Sequence, residues 1–298
     1  MSPIKVGLVG FNGSIGSAIL AALVAVHKEK KIKLVLLHRE STELSKIAKY
    51  VDADMEKRVL ALSEEGREKD EVALKDLQVV ISTVGHDGIA SQRYLVEALA
   101  DSPNLKTFIP SDFGANWTDQ DLTAPAFKGI KEKREIDNKA RGLGVPITSI
   151  RVVLFASYFV AYKALGTDVK GNSIQKFRKS LSSPIRLTTF DYLGYAIATL
   201  VSDESTLSSI INQTVQIYDI AITGQEIIDV LDRIHGTPPQ ITEFTEDQYQ
   251  EEINGGPMGV LAGLKAKWGD NACGPFVEDD LIGGWKLKSF EQLAREVL

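Results

Sequence analysis

Apolar residues follow two alternating periods along the first half of the chain. Residues 4–9 form an apolar run, and Ile15, Ile19, Leu20, Leu23 and Val26 then recur at helical spacing. Between them lies Gly10-Phe11-Asn12-Gly13-Ser14-Ile15-Gly16, so the pattern predicts strand, glycine turn and helix. A second strand is predicted over 32–37 and a short third over 59–62, while the charge run 64–71 reads as a solvated face. The nearly continuous apolar run 78–84 suits a parallel strand covered on both faces. A helix over 92–100, a strand over 106–109, a charged helix over 128–141 and a strand over 147–154 follow. This alternation predicts an α/β fold built on a doubly wound, Rossmann-like parallel sheet.

The second half is less regular. Residues 166–183, polar and rich in glycine and serine, read as a mobile loop. Strands are predicted over 186–190 and 215–219 and helices over 192–201 and 223–234; Pro238-Pro239 and Gly255-Gly256-Pro257 break the chain on either side of 245–254, and Ser289 with Gln292 forms a capping box for a last helix. The expected division is a dinucleotide-binding domain over 1–154 and a smaller, irregular α/β substrate-covering domain over 155–298, with some elements returning to the main sheet.

Composition narrows the class. With 298 residues and 44% apolar content the chain can bury a sizeable core. Its net charge of −6 argues against a nucleic-acid-binding surface. No apolar stretch approaches the roughly 20 residues of a membrane helix, and no basic leader precedes the first strand, so the expectation is a cytoplasmic protein without a membrane partner. Cys273 is the only cysteine and the four histidines lack ligand spacing, so neither a disulfide nor a metal site is expected. Monomer and homodimer both remain open.

The glycines carry the first chemistry. Gly10 suits a tight turn, Gly13 leaves the backbone open to a pyrophosphate, and Gly16 lets the helix lie close to the strand. Asn12, Ser14 and Ile15 complete this phosphate-facing turn, where the helix N-terminus offers unpaired N–H groups. Arg39 lies 23 residues beyond Gly16, near the offset of about 20 at which an acid reads the ribose of NAD or an arginine takes the 2′-phosphate of NADP. Arg39, helped by Lys46, suggests NADP; Glu40 as the ribose acid of an NAD enzyme is the alternative. Ser82, Thr83, Val84 and Gly85 end a strand that should lie beside the nicotinamide, because ligands in such sheets bind beyond the carboxyl ends of strands.

Several stretches together resemble the isoflavone reductase-like, or NmrA-like, branch of the atypical short-chain dehydrogenases/reductases. They are Gly10 to Gly16, Arg39-Glu40-Ser41, Ser82-Thr83-Val84-Gly85-His86, Phe108-Ile109-Pro110-Ser111-Asp112-Phe113-Gly114, Val145-Pro146-Ile147-Thr148 and Phe155-Ala156-Ser157-Tyr158-Phe159. The resemblance implies NADPH as cofactor, reduction of a small aromatic or conjugated metabolite, and a catalytic lysine at Lys133, with Lys131 the nearest competitor. Two positions along a helix turn a side chain by about 200°, so both cannot face one site. It also implies Phe155 beside the cofactor and His86, Phe113, Tyr158 and Phe159 at the substrate. A lysine beside the cofactor can pass a proton while hydride moves. The Tyr-x-x-x-Lys pair of typical short-chain dehydrogenases is absent. Asp112, Asp137 and Val153 stand where the plant reductases usually have glutamate, arginine and asparagine. A cofactor-sensing regulator and a non-reductive enzyme on the same scaffold are the alternatives.

Overall fold

Buried parallel strands need helices on both faces, and the first five strands have them. In the computed structural model, which describes residues 2–52, 55–275 and 282–298, β1 (Ile4–Val9) leads through the glycine turn into α1 (Ser14–Lys28) and then β2 (Ile32–His38). The succession continues with β3 (Lys57–Val59), α2 (Arg67–Leu74), β4 (Val79–Ser82), α3 (Gln92–Leu99), β5 (Thr107–Ile109) and α4 (Lys128–Gly142). The five strands form one parallel sheet in the order β3-β2-β1-β4-β5. Its direction reverses at β1, so a crevice opens between the ends of β1 and β4, where such folds hold their ligands.

The predicted third strand is displaced. Lys57, Arg58 and Val59 pair with Leu36, Leu37 and His38. The ladder then stops because the Asp70 carboxylate accepts the backbone N–H groups of Ala61 and Leu62, at 2.7 and 2.9 Å. Asp70 is fully buried on α2, inside the run read from sequence as a solvated face.

The predicted strand 147–154 splits in two. β6 (Ser149–Arg151) pairs with β11 (Thr214–Gln216), whereas β7 (Leu154–Phe155) pairs with β10 (Pro184–Thr188). Between β7 and β10 lie α5 (Ala156–Ala161), β8 (Thr167–Asp168) and β9 (Ser173–Lys176). The segment expected to be a mobile loop therefore contains two strands, because Val169 and Ile174 are buried in a second core and Phe177 is buried against Phe244 and Tyr249.

From β10 the chain runs into α6 (Phe190–Ser202), α7 (Glu204–Ile210) and β11, then β12 (Ile220–Thr223), which pairs antiparallel with β10. The remaining elements are α8 (Gly224–His235), β13 (Gln240–Glu243), α9 (Glu246–Ile253), α10 (Gly259–Gly269) and α11 (Phe290–Glu296). The capping box at Ser289 and Gln292 forms, whereas α10 and β12 have no counterpart in the sequence reading.

One core lies between the main sheet and α1, and residues of α6, among them Leu193 and Ile197, join it. There Gly194 abuts the backbone of Ala18, where a Cβ would come within 2.6 Å of the carbonyl oxygen. A second core gathers Phe159, Leu187, Trp268 and Phe290, and a third lies under α3 and α4 around Leu95, Phe108 and Ile136.

Candidate active site

The β1–α1 turn is shaped by what cannot fit there. Gly10 has φ +86°, and a Cβ on it would stand 2.5 Å from the Thr83 carbonyl carbon; one on Gly16 would stand 2.4 Å from the Gly10 carbonyl oxygen. The turn is thus pressed against the end of β4. Gly13 differs, with nothing within 4 Å of a Cβ. It is the N-cap of α1, makes no side-chain cap, and is followed by a first turn without acidic residues. Gly10 to Gly13 line a cleft of about 450 Å³, and a helix start of this kind favours an anion.

The opposite wall of this cleft includes Arg39 and Lys46. The exposed Arg39 guanidinium has no side-chain partner among the described residues, whereas Lys46 is held by Glu43 at 2.7 Å. Asn12 Nδ2 donates to the Glu43 carbonyl at 3.1 Å, tying the glycine turn to the Arg39 loop. Among the described residues Arg39 lines the cleft and Glu40 does not. Val84 and Gly85 line its floor, but Ser82 and Thr83 are buried. Thr83 Oγ1 instead donates to the Val9 carbonyl at 2.9 Å, locking β4 to β1. Ser14 and Ile15 begin α1, with Ser14 exposed and Ile15 leaning on the core. Backbone N–H groups, a close glycine turn and an unpaired guanidinium suit a diphosphate-bridged ligand with a further phosphate at Arg39.

A compact cluster of charge adjoins this floor. Ser111 Oγ donates to the Val84 carbonyl at 2.8 Å, and Gln92 Oε1 accepts the Ser111 N–H at 2.9 Å, so the end of β5 is fastened to the cleft. The next residue, Asp112, is buried and has Lys133 Nζ 3.6 Å from its Oδ1. Lys133 is partly buried on α4, while Lys131 is exposed. Arg151, at the end of β6 where the chain changes sheet, pairs through Nη1 with Asp112 Oδ2 and through Nη2 with Asp137 Oδ2, the latter at 3.2 Å. Burial pushes the Asp137 carboxyl up to about 6, with Arg151 opposing the shift and Asp112 reinforcing it. The sequence reading noted Asp137 only as a departure from the plant reductases and did not single out Arg151. The signal available was an arginine within the apolar run 147–154, which demands a buried partner.

The aromatic residues separate. Phe159 is fully buried against Trp268 and Phe290, at centroid distances of 6.2 and 5.9 Å, and so belongs to the second core rather than a pocket wall. Phe113 is likewise buried in the core of the main sheet. The Phe155 ring is buried against Phe190 at 4.6 Å, with Tyr158 edge-on to both. Tyr158 alone of the expected aromatic wall stays open, 44% exposed. The His86 side chain lies outside the described residues.

A family model described as the NmrA-like family matches residues 4–267. The chain belongs to the NmrA-like family. Phenylcoumaran benzylic ether reductase Betv6 of Betula pendula is 38% identical over 88 residues, which are 30% of this chain and 29% of that protein. Isoflavone reductase homolog P3 of Arabidopsis thaliana is 25% identical over 203 residues, covering 63% of this chain and 61% of the relative. The aligned stretches thus span less than two thirds of these relatives. Among solved structures, a binary complex of leucoanthocyanidin reductase and NADPH from Vitis vinifera superposes with a TM-score of 0.74 at 21% identity, covering 98% of this NmrA-like chain and 99% of the other. Isoflavone reductase superposes at 0.75 with 17% identity, covering 99% and 100%. The doubly wound fold is therefore shared over the whole chain. Among the described residues no helix is long and apolar enough to cross a membrane.

Proposed function

We propose that this protein is an NADPH-dependent reductase of a small aromatic or conjugated metabolite. The observation that carries the reading is the adjacency of two sites: the glycine cleft with its unpaired Arg39, and Lys133 on Asp112, fastened to the cleft floor through Ser111. NADPH, when bound, supplies the hydride. Gly10, Asn12, Gly13 and the start of α1 would hold its diphosphate and Arg39 its 2′-phosphate, with Val84 and Gly85 lining the cleft beneath it. Lys133 Nζ gives a proton to the atom that gains electron density, and Asp112 keeps that amine oriented. Tyr158 offers an exposed ring face for a flat substrate, backed by Phe155 and Phe190. Residues 155–298, apart from α6, α7 and β11, which join the core of the main sheet, serve mainly as substrate cover.

The names of two relatives, both phenylcoumaran benzylic ether reductases, support an aromatic substrate with a benzylic ether. The test is NADPH consumption with a panel of aromatic ethers and conjugated carbonyl compounds. At least one should be turned over, with NADPH preferred to NADH. Binding of NADP(H) without consumption of any of them contradicts the reading and favours a sensor.

A further inference from the structure

We propose that Asp137, acting through Arg151, is a positioning residue that sets the charge facing the Lys133 amine. The proposal rests on the role given to Lys133 above, but its geometry stands independently. Arg151 divides its two terminal nitrogens between two buried carboxylates, Nη1 to Asp112 and Nη2 to Asp137 at 3.2 Å. Asp112 in turn presents its other oxygen, Oδ1, to Lys133 Nζ at 3.6 Å. Among the described residues Asp112 Oδ1, Asp137 Oδ1 and Arg151 Nε have no hydrogen-bond partner, so each group depends on the chain of ion pairs for its compensation.

The cluster is electrically neutral when all four groups are ionised. Arg151 withdraws part of the Asp112 charge from Lys133, and Asp137 withdraws part of the Arg151 charge from Asp112. Neutralising Asp137 leaves two cations against one anion, and Arg151 then turns more fully to Asp112. The ammonium form of Lys133 loses support. The charged groups around Asp137 are Arg151 from β6, Asp112 from the end of β5, and Arg134 and Arg141 from its own helix. Burial holds its carboxyl at about 6, so a modest change of surroundings alters its charge near neutral pH.

The experiment reads the amine directly and needs no substrate. The full chain is labelled with limiting acetic anhydride across a pH series, and the extent of acetylation at Lys133 is followed by peptide mass spectrometry. In Asp137→Asn the rise in Lys133 labelling should begin about one pH unit lower than in the wild type. Asp137→Glu, which keeps the charge, should restore the wild-type curve. Asp137→Ser, equally neutral and smaller, should move as Asn does, so the test survives if Asn prevents folding. A curve that is superimposable in the wild type and the neutral variants, or a Glu variant displaced as far as Asn, overturns the proposal. Turnover by Lys133→Ala bears on the reductase reading instead, so the two can fail separately.

Discussion

The glycine cleft and the charge cluster behind it lie against each other and are built on opposite terms. The cleft's polar groups are mainly backbone N–H, left open by glycines, with Arg39 exposed and unpaired among the described residues. On the proposed function its chemistry is completed by NADPH. The cluster's polar groups are ionised side chains, mostly buried and spent on one another, with only Lys133 reaching partly outward. Open groups are inexpensive to keep in water, whereas buried charges hold only in company. A change in the cleft should therefore damage binding and spare the fold, and a change in the cluster should move pH dependence and stability.

The contrast is broken most severely at Gly10. Gly10→Ala places a Cβ 2.5 Å from backbone at φ +86°, a strain of about 3 kcal/mol. The turn must move to relieve the clash, so the expected result is a loss of more than about 100-fold in NADPH affinity by calorimetry.

The second effect is on stability against pH. The Asp137 carboxyl is raised from 3.8 to about 6 by burial. The folded state then binds the proton more tightly than the unfolded one, so this group lowers stability as pH rises from about 4 to 6, by about 3 kcal/mol. Asp137→Asn lacks that loss. Denaturant unfolding at pH 4 and 7 should show its stability relative to the wild type improving between the two by about that amount.

Arg39→Ala comes third. Removing a charged donor from a phosphate costs about 2 kcal/mol, so NADPH should bind about 30-fold more weakly while NADH is unaffected. The smallest effect is expected at Lys46, whose ammonium is already engaged by Glu43 on the surface. Lys46→Ala should alter the NADPH Kd by less than about threefold. A large effect there would make the cleft's second cation as important as its first.

The two regions also differed in legibility. Glycine spacing and the change from strand to helical periodicity were enough to find β1, α1 and the glycine turn between them, because backbone constraints are local. Lys133 came from resemblance, since a lysine on a charged helix looks like any surface charge. Its partners were hidden because Asp112, Asp137 and Arg151 meet only through long-range contacts. Elsewhere, averaged polarity misled. α2 looked solvated because Asp70 does not reveal from sequence that it ends a strand. α10 was missed between glycines, and its Lys265 and Lys267 are buried over Phe244 and Trp117 rather than exposed. There, burial pushes the Lys265 amine down to about 8.

On the proposed function, the cleft binds NADPH and the Lys133 amine beside it moves the proton. The most direct measurement is turnover and NADPH affinity on the same preparation of Lys133→Ala. The expected result is a fall in kcat of at least about 100-fold with NADPH Kd within about twofold of the wild type. Turnover at the wild-type rate would contradict the claim.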